Sequence, residues 1–134
     1  MNATALLTER PLLFDSNFLI LHLGHALDEA MIKLLKISVA NELAAISVVT
    51  RAEVLSWPKH TAASLAQAQD FLTNFESIPV DDQIADAAAQ IRRTVNIKLP
   101  DALIAATALE AQRTLVTANA RDFEKIADLA LLAV

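Results

Sequence analysis

Four acidic positions in the chain have neighbours that suggest chemistry. Asp15 closes the apolar run Leu12-Leu13-Phe14, and Glu53 follows shortly after Ala44 to Val49. Asp101 stands directly after Pro100, and Asp122 comes just after Thr117 and Asn119. Carboxylates gathered at one place repel. At ~5 Å and an effective dielectric of ~20 each pair costs roughly 3 kcal/mol. Gathering them makes sense if they hold a cation. Oxygen ligands without thiolates favour Mg²⁺, with Mn²⁺ able to substitute. A metal of that kind suits hydrolysis of a phosphodiester by an activated water. The competing reading is that each acid caps a helix or complements its dipole.

The elements decide whether these acids can meet. Leu12-Leu13-Phe14 reads as a strand, and Ser16 to Ile20 as the opening of a helix capped by Ser16 or Asn17. Leu27, Met31 and Leu34 keep a helical period. Ala44 to Val49 reads as a buried strand, and Thr50 as the cap of the helix carrying Glu53. Pro58 ends or kinks that helix. Leu65, Ala68, Leu72 and Phe75 mark the next helix, and Ser77 to Val80 an extended edge with Pro79 in it. Ile84, Ala88, Ile91 and Val95 form another helical stripe. Pro100 suits a first helical position, and Ala102 to Leu109 reads as a buried helix. Thr114 to Thr117 is a strand, Arg121 to Ala127 one or two helical turns, and Leu129 to Val134 a closing strand.

Strands alternating with helices predict an α/β fold, an open and mainly parallel sheet flanked by helices on both faces. Sites in such sheets form beyond the carboxyl ends of the strands. Asp15, Glu53, Asn119 and Asp122 follow strands. Asp101 opens a crossover helix whose N-terminus lies at that same end. All are predicted together.

Composition removes other chemistries. The chain has 134 residues, suited to one domain over 1–134. It has no cysteine, so disulfides, thiol nucleophiles and cysteine-ligated metals are excluded. Its one glycine, Gly24, cannot build a glycine-rich phosphate loop. The net charge of −5 leaves room only for a local basic footprint on nucleic acid. Met1 to Ser16 shows no signal-peptide pattern, and no apolar run approaches a membrane span. A cytoplasmic location, with no membrane partner, is expected.

Four segments together resemble the PIN-domain ribonucleases, especially VapC-type toxins of type II toxin–antitoxin pairs. They are Leu13-Phe14-Asp15-Ser16-Asn17-Phe18-Leu19-Ile20, Ser47-Val48-Val49-Thr50-Arg51-Ala52-Glu53-Val54-Leu55, Leu99-Pro100-Asp101 with Ala102 to Ala108, and Leu115-Val116-Thr117-Ala118-Asn119-Ala120-Arg121-Asp122-Phe123. The resemblance implies a PIN-like fold and a Mg²⁺-dependent endoribonuclease acting on structured RNA such as tRNA or rRNA. It implies a homodimer neutralised by a cognate antitoxin. Asp15, Glu53, Asp101 and Asp122 become the catalytic acids. Asp15 and Asp101 become metal ligands, with Glu53, Asn119 and Asp122 as further candidates. Whether Asn119 or Asp122 fills the fourth acidic position stays open. Ser16, Asn17, Thr117 and Asn119 would support the acids. Ser56-Trp57-Pro58 stands where relatives often carry glycine, and Trp57 is a candidate for an antitoxin groove.

Arg51, Arg92, Arg93, Lys98 and Arg121 are candidate contacts to RNA phosphates, or else a solvated face. His22 and His25, three apart on an expected helix, read as a surface or interface pair rather than a metal site. His60 reads as loop, and Asp81-Asp82 as a helix start. A non-catalytic module of the same fold, binding RNA or protein, is the alternative function. A receiver domain fails because Asp81-Asp82 does not follow the first strand. A haloacid-dehalogenase-type phosphohydrolase fails because Asn17 stands where its second acid belongs.

Overall fold

The computed structural model describes residues 9–134. The reading of Met1 to Ser16 as lacking a signal peptide lies partly outside them, at residues 1–8. The elements run β1 (Leu12–Phe14), α1 (Ser16–Leu23), α2 (Glu29–Ala40), β2 (Ala44–Ser47), α3 (Val48–Leu55), α4 (Ala62–Leu72), β3 (Glu76–Ile78), α5 (Asp82–Thr94), α6 (Leu99–Glu110), β4 (Thr114–Thr117), a 3-10 turn (Ala120–Asp122) and β5 (Leu131–Ala133). The five strands form one all-parallel sheet in the order β3-β2-β1-β4-β5. The expected α/β class is what is found.

The short strands β1, β2 and β4 are almost wholly buried, because both sheet faces are covered. Alternation along them separates two cores. Leu13, Ala45 and Leu115 join Ile84, Ala88, Ala102, Ala105 and Ala106 on the face covered by α5 and α6. Leu12, Phe14, Ile46 and Val116 join Phe18, Leu19, Leu34, Val54 and Leu72 on the face covered by α1 to α4. Small residues in α6 allow it to lie close against its neighbours. Edge strand β3 is the exposed one, and Pro79 follows it. No helix among the described residues is long and apolar enough to cross a membrane.

Several boundaries differ from the expected ones. Asp15 itself, and not Ser16 or Asn17, caps α1 by accepting the Phe18 amide. Strand β2 stops at Ser47, whose hydroxyl accepts the Val49 amide and caps α3. Thr50, the expected cap, is the third residue of that helix and fully buried, and its hydroxyl has no partner among the described residues. Pro100 occupies the second position of α6, not the first. Asp81 caps α5 through the Ile84 amide, as read.

The helix that opens at Ser16 and the one that carries Met31 and Leu34 are separate. His25 lies past the end of α1 with φ 57°, so His22 and His25 do not share a helix face. The His22 ring instead stacks on Phe71, with centroids 4.8 Å apart. The chain closes α1 by amides of His25 and Ala26 donating to carbonyls of His22 and Leu21. Glu42 and Leu43 close α2 in the same way, as do Gln112 and Arg113 for α6. Each is a Schellman ending, and each places a non-glycine residue in the left-handed region.

Candidate functional site

The strand order reverses direction between β1 and β4, where β1 runs on to β2 at one side and β4 to β5 at the other. Crevices at such switch points are where open α/β sheets bind ligands. Asp15 leaves β1 there, 2% exposed. Its Oδ1 accepts the Phe18 amide at 2.9 Å, and its Oδ2 accepts the hydroxyl of Thr117 at the end of β4. The same Thr117 oxygen accepts the Asn119 amide at 2.9 Å. One hydroxyl thus ties the two strands across the switch point and shapes the turn after β4.

Ser16 donates its hydroxyl to Glu53 Oε1 at 2.6 Å, linking the start of α1 to α3. Asn119 donates its side-chain amide to the Asp122 carboxylate. Asp101 stands on the first turn of α6, partly buried. Burial pushes the Asp15 carboxyl up to about 6, against the lowering effect of the Thr117 and Phe18 hydrogen bonds, and the charges of Asp101 and Glu53 raise it further. Asp101 is likewise raised, first by burial and then by Glu53 and Asp122, with the Lys98 ammonium opposing. Asp101 and Glu53 raise Asp15, while Glu53 and Asp122 raise Asp101. The four acids therefore share one field.

The donor set is all oxygen, and its mutual repulsion is what a cation relieves. Among the described residues no three His, Asp or Glu side chains are gathered to grip one ion. The all-oxygen donor set is of the kind a hydrated Mg²⁺ takes, since that ion keeps several waters and uses one or two carboxylates.

The supporting residues sort by position. Ser16, Thr117 and Asn119 contact the acids directly. Asn17 is exposed on α1, and no hydrogen bond from it to the acids is found among the described residues. Arg92 and Lys98 share a cavity with Asp101 and Asp122; Arg93 lines only a second hollow, which Arg92 also borders. Arg51 is on α3 and Arg121 in the 3-10 turn; neither lines that cavity. Trp57, half exposed, sits edge-on to His60 beside an apolar groove that also touches Ile20 and Leu23. His60 bonds Ser64 and the Val54 carbonyl.

Arg113 escaped the sequence reading. Its guanidinium donates to the carbonyls of Leu12 and Leu43 and pairs with Glu76 at 2.7 Å. These groups lie at the amino ends of β1, β2 and β3, opposite the acids. No motif marks it. A cation directly before a strand and next to a helix end was the available signal.

Fold and crevice together define a layered α/β domain with an acidic centre at its switch point. The model of the PIN domain family matches residues 12–129, and the chain belongs to that family. It is a family of nucleases. The resemblance read from the four segments is borne out. No curated protein matches the chain in sequence. Among solved structures, a toxin–antitoxin complex from Klebsiella pneumoniae is similar at 29% identity and TM-score 0.74, covering 91% of this chain and 96% of that one. DNA-bound VapBC from Salmonella typhimurium is similar at 23% identity and TM-score 0.81, covering 92% and 98%. VapBC2 from Rickettsia felis, bound to a promoter DNA fragment, is similar at 23% identity and TM-score 0.80, covering 91% and 97%.

Proposed function

We propose that the chain, as one domain over 1–134, is a Mg²⁺-dependent endoribonuclease. It would be the toxin of a toxin–antitoxin pair, acting in the cytoplasm as a homodimer on structured RNA such as tRNA or rRNA. The observation that carries the reading is the shared field of Asp15, Glu53, Asp101 and Asp122 at the switch point of a PIN domain. The similar solved structures are toxin–antitoxin complexes, which supports an antitoxin partner.

Asp15 and Asp101 would hold the metal, with Glu53, Asn119 and Asp122 completing its surroundings. When bound, Mg²⁺ supplies positive charge to the scissile phosphate and acidifies water. The protein's part is orientation. Thr117 and the Phe18 amide hold both oxygens of Asp15, so the carboxylate cannot turn away from the crevice. Ser16 holds Glu53 by Oε1, leaving Oε2 to accept the proton of an attacking water. Asn119 orients Asp122 in the same manner.

The test is to incubate pure protein, free of antitoxin, with total cellular RNA and Mg²⁺ and to map new RNA ends. Discrete cuts, lost with EDTA and in Asp101→Asn, are expected. Absence of cuts from folded, metal-replete protein would favour the other reading, a module of the same fold that binds RNA or protein without cutting. The observation on that side is the lack of three gathered donors. A Mn²⁺ titration separates the two, since the non-catalytic version has no tight site.

A further inference from the structure

Beside the acids lies a cavity of about 320 Å³ lined by Arg92, Asn96, Ile97, Lys98, Asp101 and Asp122. Its two walls differ in charge. Asp101 and Asp122 belong to the acidic centre; Arg92, Asn96 and Lys98 come from the end of α5 and the link into α6. The Arg92 Nε donates to the Ile97 carbonyl at 3.2 Å, so the guanidinium is anchored at one nitrogen. Its two terminal nitrogens, five donors' worth of fork less one, remain available. Among the described residues neither Arg92 nor Lys98 forms an ion pair. Their charges thus stand next to carboxylates without being spent on them. Arg92 also borders a second hollow, with Val80, Leu99 and Leu103; Arg93 lines only that hollow and does not reach the cavity beside the acids.

We propose that Arg92 and Lys98, with Asn96 between them, form a subsite for a backbone phosphate of single-stranded RNA, one that neighbours the phosphate at the acids. The proposal rests on the nuclease reading for its substrate class. A phosphate fits the cavity's basic wall because an anchored guanidinium offers paired donors to phosphate oxygens, and an ammonium adds a point charge. The acidic wall sets where that phosphate can lie. It is held away from Asp101 and Asp122, at the far side of the cavity, and the strand is thereby set in register across the acids. Such contacts position RNA and carry no sequence information. Five basic side chains were candidates for this task, and the cavity selects two.

The probe is a fluorescein-labelled ten-nucleotide oligouridylate, bound to the full chain and followed by anisotropy across a salt series in Ca²⁺. Arg92→Ala and Lys98→Ala are each expected to weaken binding about tenfold. Each is expected to reduce the salt slope by about 0.7, the value for one phosphate contact on a single strand. Arg92→Lys should keep the slope, and Arg93→Ala should change neither quantity. Thermal unfolding checks that each variant is folded. Equal losses in Arg93→Ala and Arg92→Ala would overturn the subsite in favour of a diffuse basic field, and so would no loss in Arg92→Ala and Lys98→Ala. The nuclease reading fails separately. Binding with the expected pattern but no cut RNA in Mg²⁺ would sink catalysis and leave the subsite. Cutting by Arg92→Ala and Lys98→Ala with unaltered KM would sink the subsite and leave catalysis.

Discussion

Asp15 shows why capping and chemistry were hard to separate from sequence alone. The capping reading describes it, since one oxygen caps α1, and the other accepts Thr117 across the switch point. The acid was legible because it closes an apolar run, but its cap was not, since Ser16 and Asn17 are equally good capping types. Substitution by Asn keeps an oxygen for the Phe18 amide and removes the buried charge. The carboxyl sits at about 6 in the folded chain against 3.8 ordinarily. The folded state therefore binds the proton more tightly. Stability linked to Asp15 is fully present below pH 3.8 and is lost as pH rises through about 6. Two units correspond to about 3 kcal/mol. The metal-free protein should gain stability on going from pH 7 to pH 5, and Asp15→Asn should flatten that gain. Urea unfolding at both pH values in EDTA checks this. A wild type and variant with parallel pH profiles would refute it. Asp15→Ala, which also loses the cap, should be less stable than Asp15→Asn by about 1 kcal/mol.

Helix ends are where the sequence misled, and the reason is physical. A chain with one glycine lacks the usual stop signal, so α1, α2 and α6 end on His25, Glu42 and Gln112 in left-handed backbone. The hydrogen bonds of each ending are complete, yet nothing in those residue types announces them. Gly24 stands one position before the left-handed residue of α1, with φ −87°. The start of α3 was misplaced for a related reason: Ser47, Thr50 and their β-branched neighbours suit strand and cap alike. Left-handed backbone costs an L-residue about 1 kcal/mol that glycine avoids. Glu42→Gly and Gln112→Gly should each raise stability, by up to ~0.5 kcal/mol after glycine's greater unfolded-state entropy is subtracted. Chemical denaturation with an unchanged m-value is the readout. A destabilised Gln112→Gly would mean that its side chain, not its backbone, secures the end of α6.

At the scale of the whole molecule, the sheet was the most legible feature, because alternating strand and helix patterns leave few arrangements. The same topology that brought the acids together sends Arg113 to the other end. There the guanidinium donates to the carbonyls of Leu12 and Leu43, tying the starts of β1 and β2 together beside the Leu12 amide that already bonds the Leu43 carbonyl. Its pair with Glu76 adds little, since Glu76 is exposed at 63%. The carbonyl bonds carry the clamp. The acids and the clamp are thus placed at opposite ends of one sheet, and variants at the two ends should behave oppositely. Arg113→Ala should lose ~2–4 kcal/mol with its two charge-assisted hydrogen bonds. It should still gain stability from Mg²⁺, because a ligand bound only by the folded state adds RT ln(1 + [L]/Kd) whatever the starting stability. Asp101→Asn should keep or raise its metal-free stability, since repulsion with Glu53 and Asp122 is relieved, and should lose the Mg²⁺ response. Thermal melts of the wild type and both variants, in EDTA and in Mg²⁺, read all of this at once. If Arg113→Ala lost the Mg²⁺ response while still folded, the two ends would be coupled through β1 and the division of labour would fail. If Asp101→Asn kept it, the cation would be held elsewhere than at the switch point.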